Sequence, residues 1–156
     1  MEIGADIPPP QELVQCILCD IPANAILLRN GDEVAIAVCQ NHVRNQILLN
    51  DTLTHELIHL YDYARAYLDT NDPKQLACTE VRASALSGEC CRIRERNRGV
   101  ITAFNSGDKF RQCVQRKVRL SLQMHELLRG KEDAIMEQVF DRCIQDRSPF
   151  YTYNID

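Results

Sequence analysis

Eight cysteines in 156 residues constrain this chain more than any other feature it carries. Cys16, Cys19, Cys39, Cys78, Cys90, Cys91, Cys113 and Cys143 are spread over its whole length. An even count at this density points to disulfides formed in an oxidising compartment, to metal binding, or to both. The opening residues Met1-Glu2-Ile3-Gly4-Ala5-Asp6 have no basic start, no apolar signal core and no Arg-rich amphipathic stretch, so no cleavable targeting peptide is expected. The longest uninterrupted apolar run covers only residues 34–39, against about twenty for a membrane-spanning helix. An oxidising compartment reached without a secretory signal needs an explanation.

The formal charge of −4 argues against a nucleic-acid surface, which needs a basic field. The length suits a single domain with a substantial core. An irregular arm is expected over residues 1–15, with Pro8-Pro9-Pro10 in it, one domain over 16–150 and a tail over 151–156. Residues 25–29 and 33–39 are short apolar, partly β-branched runs separated by Asn30-Gly31-Asp32. Asn-Gly supports the positive φ of a tight primed turn, so these runs read as a β-hairpin. Asn50-Asp51-Thr52 can cap or interrupt a helix. From Leu53 to Leu68 apolar residues recur at three- and four-residue steps, which predicts an amphipathic helix. Thr70-Asn71-Asp72-Pro73 ends it and starts another over about 74–96, with connections at Gly99 and Asn105-Ser106-Gly107. Helices are also expected over 110–128, stopped by Gly130, and over 132–144. The fold class is α+β: a small N-terminal hairpin or sheet followed by a mostly helical body.

The strong chemical signal is His55-Glu56-Leu57-Ile58-His59. Histidines at i and i+4 share one helix face and can reach one metal ion. The ion lowers the pKa of a bound water toward about 7, and Glu56 is placed to take its proton. This is the H-E-x-x-H arrangement of zinc peptidases. The bland reading is chance, two surface histidines on a helix. The amphipathic helix, the apolar intervening residues and the use of half the chain's four histidines weigh against it.

A catalytic Zn²⁺ needs a third protein ligand and one open position. Positions 55, 59 and 62 span about 10 Å of helix axis, while metal–ligand bonds are about 2 Å. No helix breaker follows His59, so Asp62 is not expected to ligate. The third ligand is expected from the next helix, as Glu80 in Ala77-Cys78-Thr79-Glu80-Val81-Arg82, 21 residues after His59. Glu89 falls about half a helical rotation from Glu80 and should face elsewhere. Asp62 then either orients an imidazole through its other nitrogen or is a solvated helix carboxylate. For Glu80 the plain alternative is an ordinary surface charge.

Cys39-Gln40-Asn41, Thr54 to His59, the Ala77-Cys78-Thr79-Glu80-Val81-Arg82-Ala83-Ser84 block and Leu86-Ser87-Gly88-Glu89-Cys90 form an ordered series. Cys113-Val114, Val139-Phe140 through Cys143, and Pro149-Phe150 continue it. The series resembles the Atp-twenty-three-type metallopeptidases of the mitochondrial intermembrane space, over about residues 16–150. The resemblance implies one catalytic Zn²⁺ on His55 and His59 and a general base at Glu56. It implies a peptidase peripheral to the inner membrane that removes the presequence of ATP synthase subunit a. It also implies help in assembling the membrane sector, by a chaperone role separable from proteolysis. Its cysteines are typically oxidised through an import relay, which would reconcile disulfides with the missing signal. The paired Cys90-Cys91 departs from the single cysteine expected there.

Cys16-x-x-Cys19 with Cys39-x-x-His42 also has the ligand set of a small structural zinc site, the mark of a zinc-ribbon interaction module. Disulfides are the favoured reading for these cysteines, and the pairing is one of 105 possibilities for eight. Strand 33–39 is either an exposed strand open to an extended substrate backbone or an ordinary structural edge strand. Arg82 and His125 are weak oxyanion candidates, more simply a salt-bridge partner and an exposed helix residue. Arg111, Arg116, Lys117 and Arg119 read as a solvated helix face, with anionic-lipid contact as the lesser reading.

Overall fold

The computed structural model describes residues 7–31, 33–69, 71–99, 108–126 and 128–150. Its elements fall into two compact units, residues 1–67 and 68–156. The expected connection at 105–107 and the tail 151–156 lie outside the described residues.

The first unit opens with a helical turn α1 (Pro10–Leu13) running into strand β1 (Val14–Ile17), followed by β2 (Ala25–Asn30) and β3 (Glu33–Cys39). The hairpin forms as expected: β2 and β3 pair antiparallel up to Asn30↔Glu33, and Gly31 takes φ 61° where the chain reverses. The expected irregular arm is not irregular throughout. Val14–Ile17 pairs parallel with β3, in register from Val14↔Ile36 to Ile17↔Cys39. The sheet order is β1-β3-β2, so β3 is the central strand. Both of its edges are occupied, so it neither pairs with an extended substrate nor forms an edge, which corrects both readings for 33–39. Its unbroken apolar run is what a strand covered on both faces requires. Ile36, Val38 and Leu60 anchor the unit's core with Leu13, Ala25 and Val34.

Helix α2 (Gln46–Arg65) lies against β2 and β3. It starts at Asn45, whose side chain accepts from Leu48 N at 2.9 Å. Asn50-Asp51-Thr52 neither caps nor breaks it, contrary to expectation. The Asn50 side chain accepts from Gln46 Nε2 at 2.7 Å, and its carbonyl accepts from Thr54 Oγ1 at 2.8 Å. The helix stops at Arg65, three residues before the expected end.

The second unit is helical. Asp72 caps α3 (Pro73–Leu86), accepting from Lys74 N at 2.9 Å, with Pro73 in the first turn where no donor is lost. The expected helix over 74–96 is interrupted. Gly88 takes φ 89° after α3, and a separate α4 (Arg92–Asn97) follows. Helix α5 (Lys109–Gln123) ends before Gly130, and α6 (Glu132–Cys143) packs with it against α3. The core between them holds Val81, Val114, Val118, Leu122 and Phe140.

Three disulfides form: Cys19–Cys39 within the first unit, and Cys78–Cys143 and Cys90–Cys113 within the second. Cys16 and Cys91 are free thiols and leave the set of disulfide candidates. Four of the basic residues of α5 meet acids, while Lys109 donates to Gln112 Oε1 at 3.0 Å. Arg111 pairs with Asp108 and Asp141, Arg116 with Glu95, Lys117 with Glu89 and Arg119 with Asp133. They clasp neighbouring helices, so their charge is matched within the unit and the anionic-lipid reading loses its basis.

Two outcomes follow. The Cys78–Cys143 bridge closes 65 residues and Cys90–Cys113 closes 23. On chain entropy they contribute about 4 and about 3 kcal/mol. Urea unfolding of the paired-serine variants should rank them in that order. Asp72 has its carboxyl held below its ordinary value of 3.8, chiefly by the Lys74 backbone donor and then by the Gln75 side chain. A lowered folded pKa gives stability that is present above 3.8 and is lost as pH falls through the folded value. The Tm deficit of Asp72→Ala should therefore be full at pH 6 and shrink below about pH 3.8.

Candidate metal centre

The helical repeat of α2 brings His55 and His59 onto one face, one turn apart. Their Nε2 atoms stand 3.1 Å apart, and the rings meet edge-on with centroids separated by 4.9 Å. Two nitrogens bound to one tetrahedral zinc at ordinary bond lengths would stand about 3.3 Å apart. The pair is therefore already near ligating separation. Glu56 sits on the same turn and is buried with His59, while His55 is half-buried. Leu60 on the same helix is buried in the core with Ile36 and Val38, and Ile58 is buried as well.

Asp62 is 3% exposed, so the reading as a solvated helix carboxylate fails. It accepts from Arg65 Nε at 3.1 Å. Arg65 in turn lies over the Tyr61 ring.

Glu80 lies in the second unit on α3, in the stretch Thr79–Ala85 that is buried throughout. It is no surface charge. It has polar company, and its buried Oε2 accepts no hydrogen bond. Among the described residues, His55 and His59 offer candidate metal donors in the first unit, and Glu80 offers a carboxylate in the second. Two imidazoles and a carboxylate make a borderline nitrogen–oxygen donor set that suits zinc. The residues present therefore fit such an ion. Glu89 lies beyond the end of α3 and pairs with Lys117 at 2.7 Å, away from any ligating role.

The other candidates take structural places. Cys19 and Cys39 are joined to each other, so the zinc-ribbon reading at Cys16, Cys19 and Cys39 loses two of its thiolates. His42, its fourth member, directs Nδ1 at Ala23 O, 2.7 Å away. A carbonyl only accepts, so that nitrogen carries the proton and is occupied. Arg82 is 2% exposed and holds Ser148 O at 2.6 Å and the Asp146 carboxylate at 2.7 Å. It is a salt-bridge partner that anchors the segment after α6. The distant acid was invisible in the sequence, since 64 residues separate the two. His125 is exposed beyond the end of α5.

A buried helix presenting paired imidazoles with a glutamate between them defines a candidate metal-dependent hydrolase. The family model for the peptidase M76 family matches residues 2–151, and the chain belongs to that family. It is 37% identical over 142 residues to a protein of Candida albicans named mitochondrial inner membrane protease ATP23, covering 90% of this chain and 58% of that one. A Yarrowia lipolytica protein of the same name is 37% identical over 154 residues, 97% of this chain and 58% of the relative. The Saccharomyces cerevisiae relative is 40% identical over 121 residues, 76% and 53%. The chain thus spans little more than half the length of these relatives. No solved structure matches it.

Metal quantification checks the donor set. The wild-type chain should retain about one zinc, the number a single three-ligand site holds. His59→Ala should retain almost none, and Cys16→Ser should match wild type.

Proposed function

We propose that this chain is a zinc metalloendopeptidase with a zincin-like arrangement around α2. The observation that carries the reading is the His55–His59 pair, with nitrogens 3.1 Å apart on a buried helix that also carries Glu56. His55, His59 and Glu80 are the proposed ligands, supported by the nitrogen and oxygen donors they offer. Zinc bound there would acidify its water toward about pH 7 and polarise the scissile carbonyl. Glu56 is the chain's own proton carrier: it takes the proton from the attacking water and returns it to the leaving amine. Its burial keeps bulk water from competing for that proton. Asp62, fixed by Arg65, has the role of steadying the helix turn that bears the imidazoles.

The resemblance of the motif series and the names of the relatives support a setting at the mitochondrial inner membrane. We place the chain in the intermembrane space, where three disulfides would form on import. Its proposed substrate is the precursor of ATP synthase subunit a, with membrane-sector assembly intermediates as partners.

Glu56→Gln tests the mechanism. It should keep the fold and one zinc while kcat for peptide cleavage falls at least about a hundredfold, as loss of a general base requires. Retained cleavage would exclude Glu56 as the base. Glu80→Ala should weaken zinc binding by at least about tenfold, what even an indirect partner of a metal ligand costs. Competition against a chelating dye measures it.

A further inference from the structure

Arg29 stands near the end of β2 with its charge paired to no described acid. Its guanidinium lies over the Tyr63 ring, Cζ 4.1 Å from the centroid, and makes no hydrogen bond or ion pair among the described residues. Arg65 lies over Tyr61 in a similar way, yet it is paired with Asp62. A ring attracts the charge but supplies no oxygen, so Arg29 keeps its fork of N–H donors for another partner. Its place brings that fork to the metal helix. Arg29 shares a strand face with Ala25 and Leu27, which pack into the core with Leu60 of α2. Tyr63 follows His59 by one turn of α2, on nearly the same face. The backbone of Arg29 is open as well. Cys39 N donates to Asn24 O at 2.8 Å, and the ladder runs on from there to Asn30↔Glu33. Bonded and non-bonded pairs alternate in an antiparallel ladder, so Ala25, Leu27 and Arg29 turn their N–H and C=O groups away from β3. They face the outer edge of β2, with which no other described strand pairs.

From this we infer that Arg29 is a specificity-determining residue, selecting an acidic side chain in the peptide substrate. The inference rests on the peptidase reading proposed above. An extended peptide laid along the outer edge of β2 would share main-chain hydrogen bonds with Leu27 and Arg29. Residues directly opposite each other in such a pair project to one face, so the side chain across from Arg29 meets its guanidinium. A carboxylate is the group that fits, because its two oxygens match a planar fork of donors. The Tyr63 ring holds the guanidinium in position beforehand, so less freedom is lost when the acid arrives. One helical turn rises about 5.4 Å and a strand about 3.3 Å per residue. The favoured acid should therefore lie about two residues from the scissile bond.

Short peptides with blocked ends, uncharged except for one Glu or its Gln counterpart moved through the sequence, test this. Their affinity for the zinc-loaded Glu56→Gln chain is read by fluorescence anisotropy, so no cleavage is needed. Glu at one position should bind at least about tenfold tighter than Gln there, as hydrogen bonds between charged partners allow. Adding Arg29→Gln should abolish that ratio, and adding Arg29→Glu should pass the preference to Lys at the same position. Arg44→Gln, at another exposed arginine of the first unit, should keep the ratio in full. Equal binding of every Glu and Gln pair overturns the inference, and so does binding of none of them. A ratio that survives Arg29→Gln overturns it too, as does one that appears only when the peptide's C-terminus is unblocked, since the site would then take a terminal carboxylate. Cleavage by the wild-type chain locates the favoured Glu, and a place more than about three residues from the cut also contradicts the account. A wild-type chain that cleaves none of the peptides, while the Glu preference at Arg29 holds, overturns the peptidase reading alone. Cleavage without any Glu preference overturns the role of Arg29 alone, so the two readings fail separately.

Discussion

Two imidazole nitrogens held 3.1 Å apart, one helical turn from each other, are the contact around which this protein is organised. Without an ion, neutral imidazoles so placed can share one proton, one ring donating and the other accepting. With an ion, both present a lone pair to it, and the helix has already fixed their separation. What the fold must then provide is a helix that neither frays nor rotates at that turn. In the first unit this task falls to the sheet: β3 is buried at its centre, and Leu60 joins the core it builds with Ile36 and Val38.

The covalent bridges serve the same end by a different route. Cys19–Cys39 fastens the loop after β1 to the end of the central strand. The two bridges of the second unit tie α3 to α6, and the turn after α3 to α5. A small chain with few aromatics has limited packing energy to spend on rigidity, and cross-links supply what is missing by constraining the unfolded chain. Buried ion pairs add specificity on top. Glu95 is fully buried and shared by Arg98 and Arg116, and Arg82 fixes the segment after α6.

The parts legible in the sequence are those with local causes. Gly31 announced the hairpin, because positive φ at that point needs a residue without a side chain. Asp72-Pro73 announced the start of α3 through its cap. The spacing of His55 and His59 fixed their shared face before any coordinates. What escaped depended on partners far along the chain. Strand β1 is four residues long and exists only because β3, some twenty residues later, accepts it in parallel. The continuous apolar run of β3 was itself evidence of burial on both faces, yet hairpin reasoning made it an edge. Asn50 read as a cap, but its side chain had a nearer use in bonding Gln46. The family, by contrast, was readable from the motif series, and the match over residues 2–151 agrees with it.

The central proposal is chemical: a zinc ion would be held by imidazole and carboxylate, and by no cysteine sulfur. Zinc K-edge X-ray absorption on the purified, oxidised chain tests this most directly. The account expects a coordination shell of nitrogen and oxygen at about 2.0–2.1 Å with imidazole scattering from two histidines. A sulfur shell at about 2.3 Å would contradict it and return the metal to the cysteines.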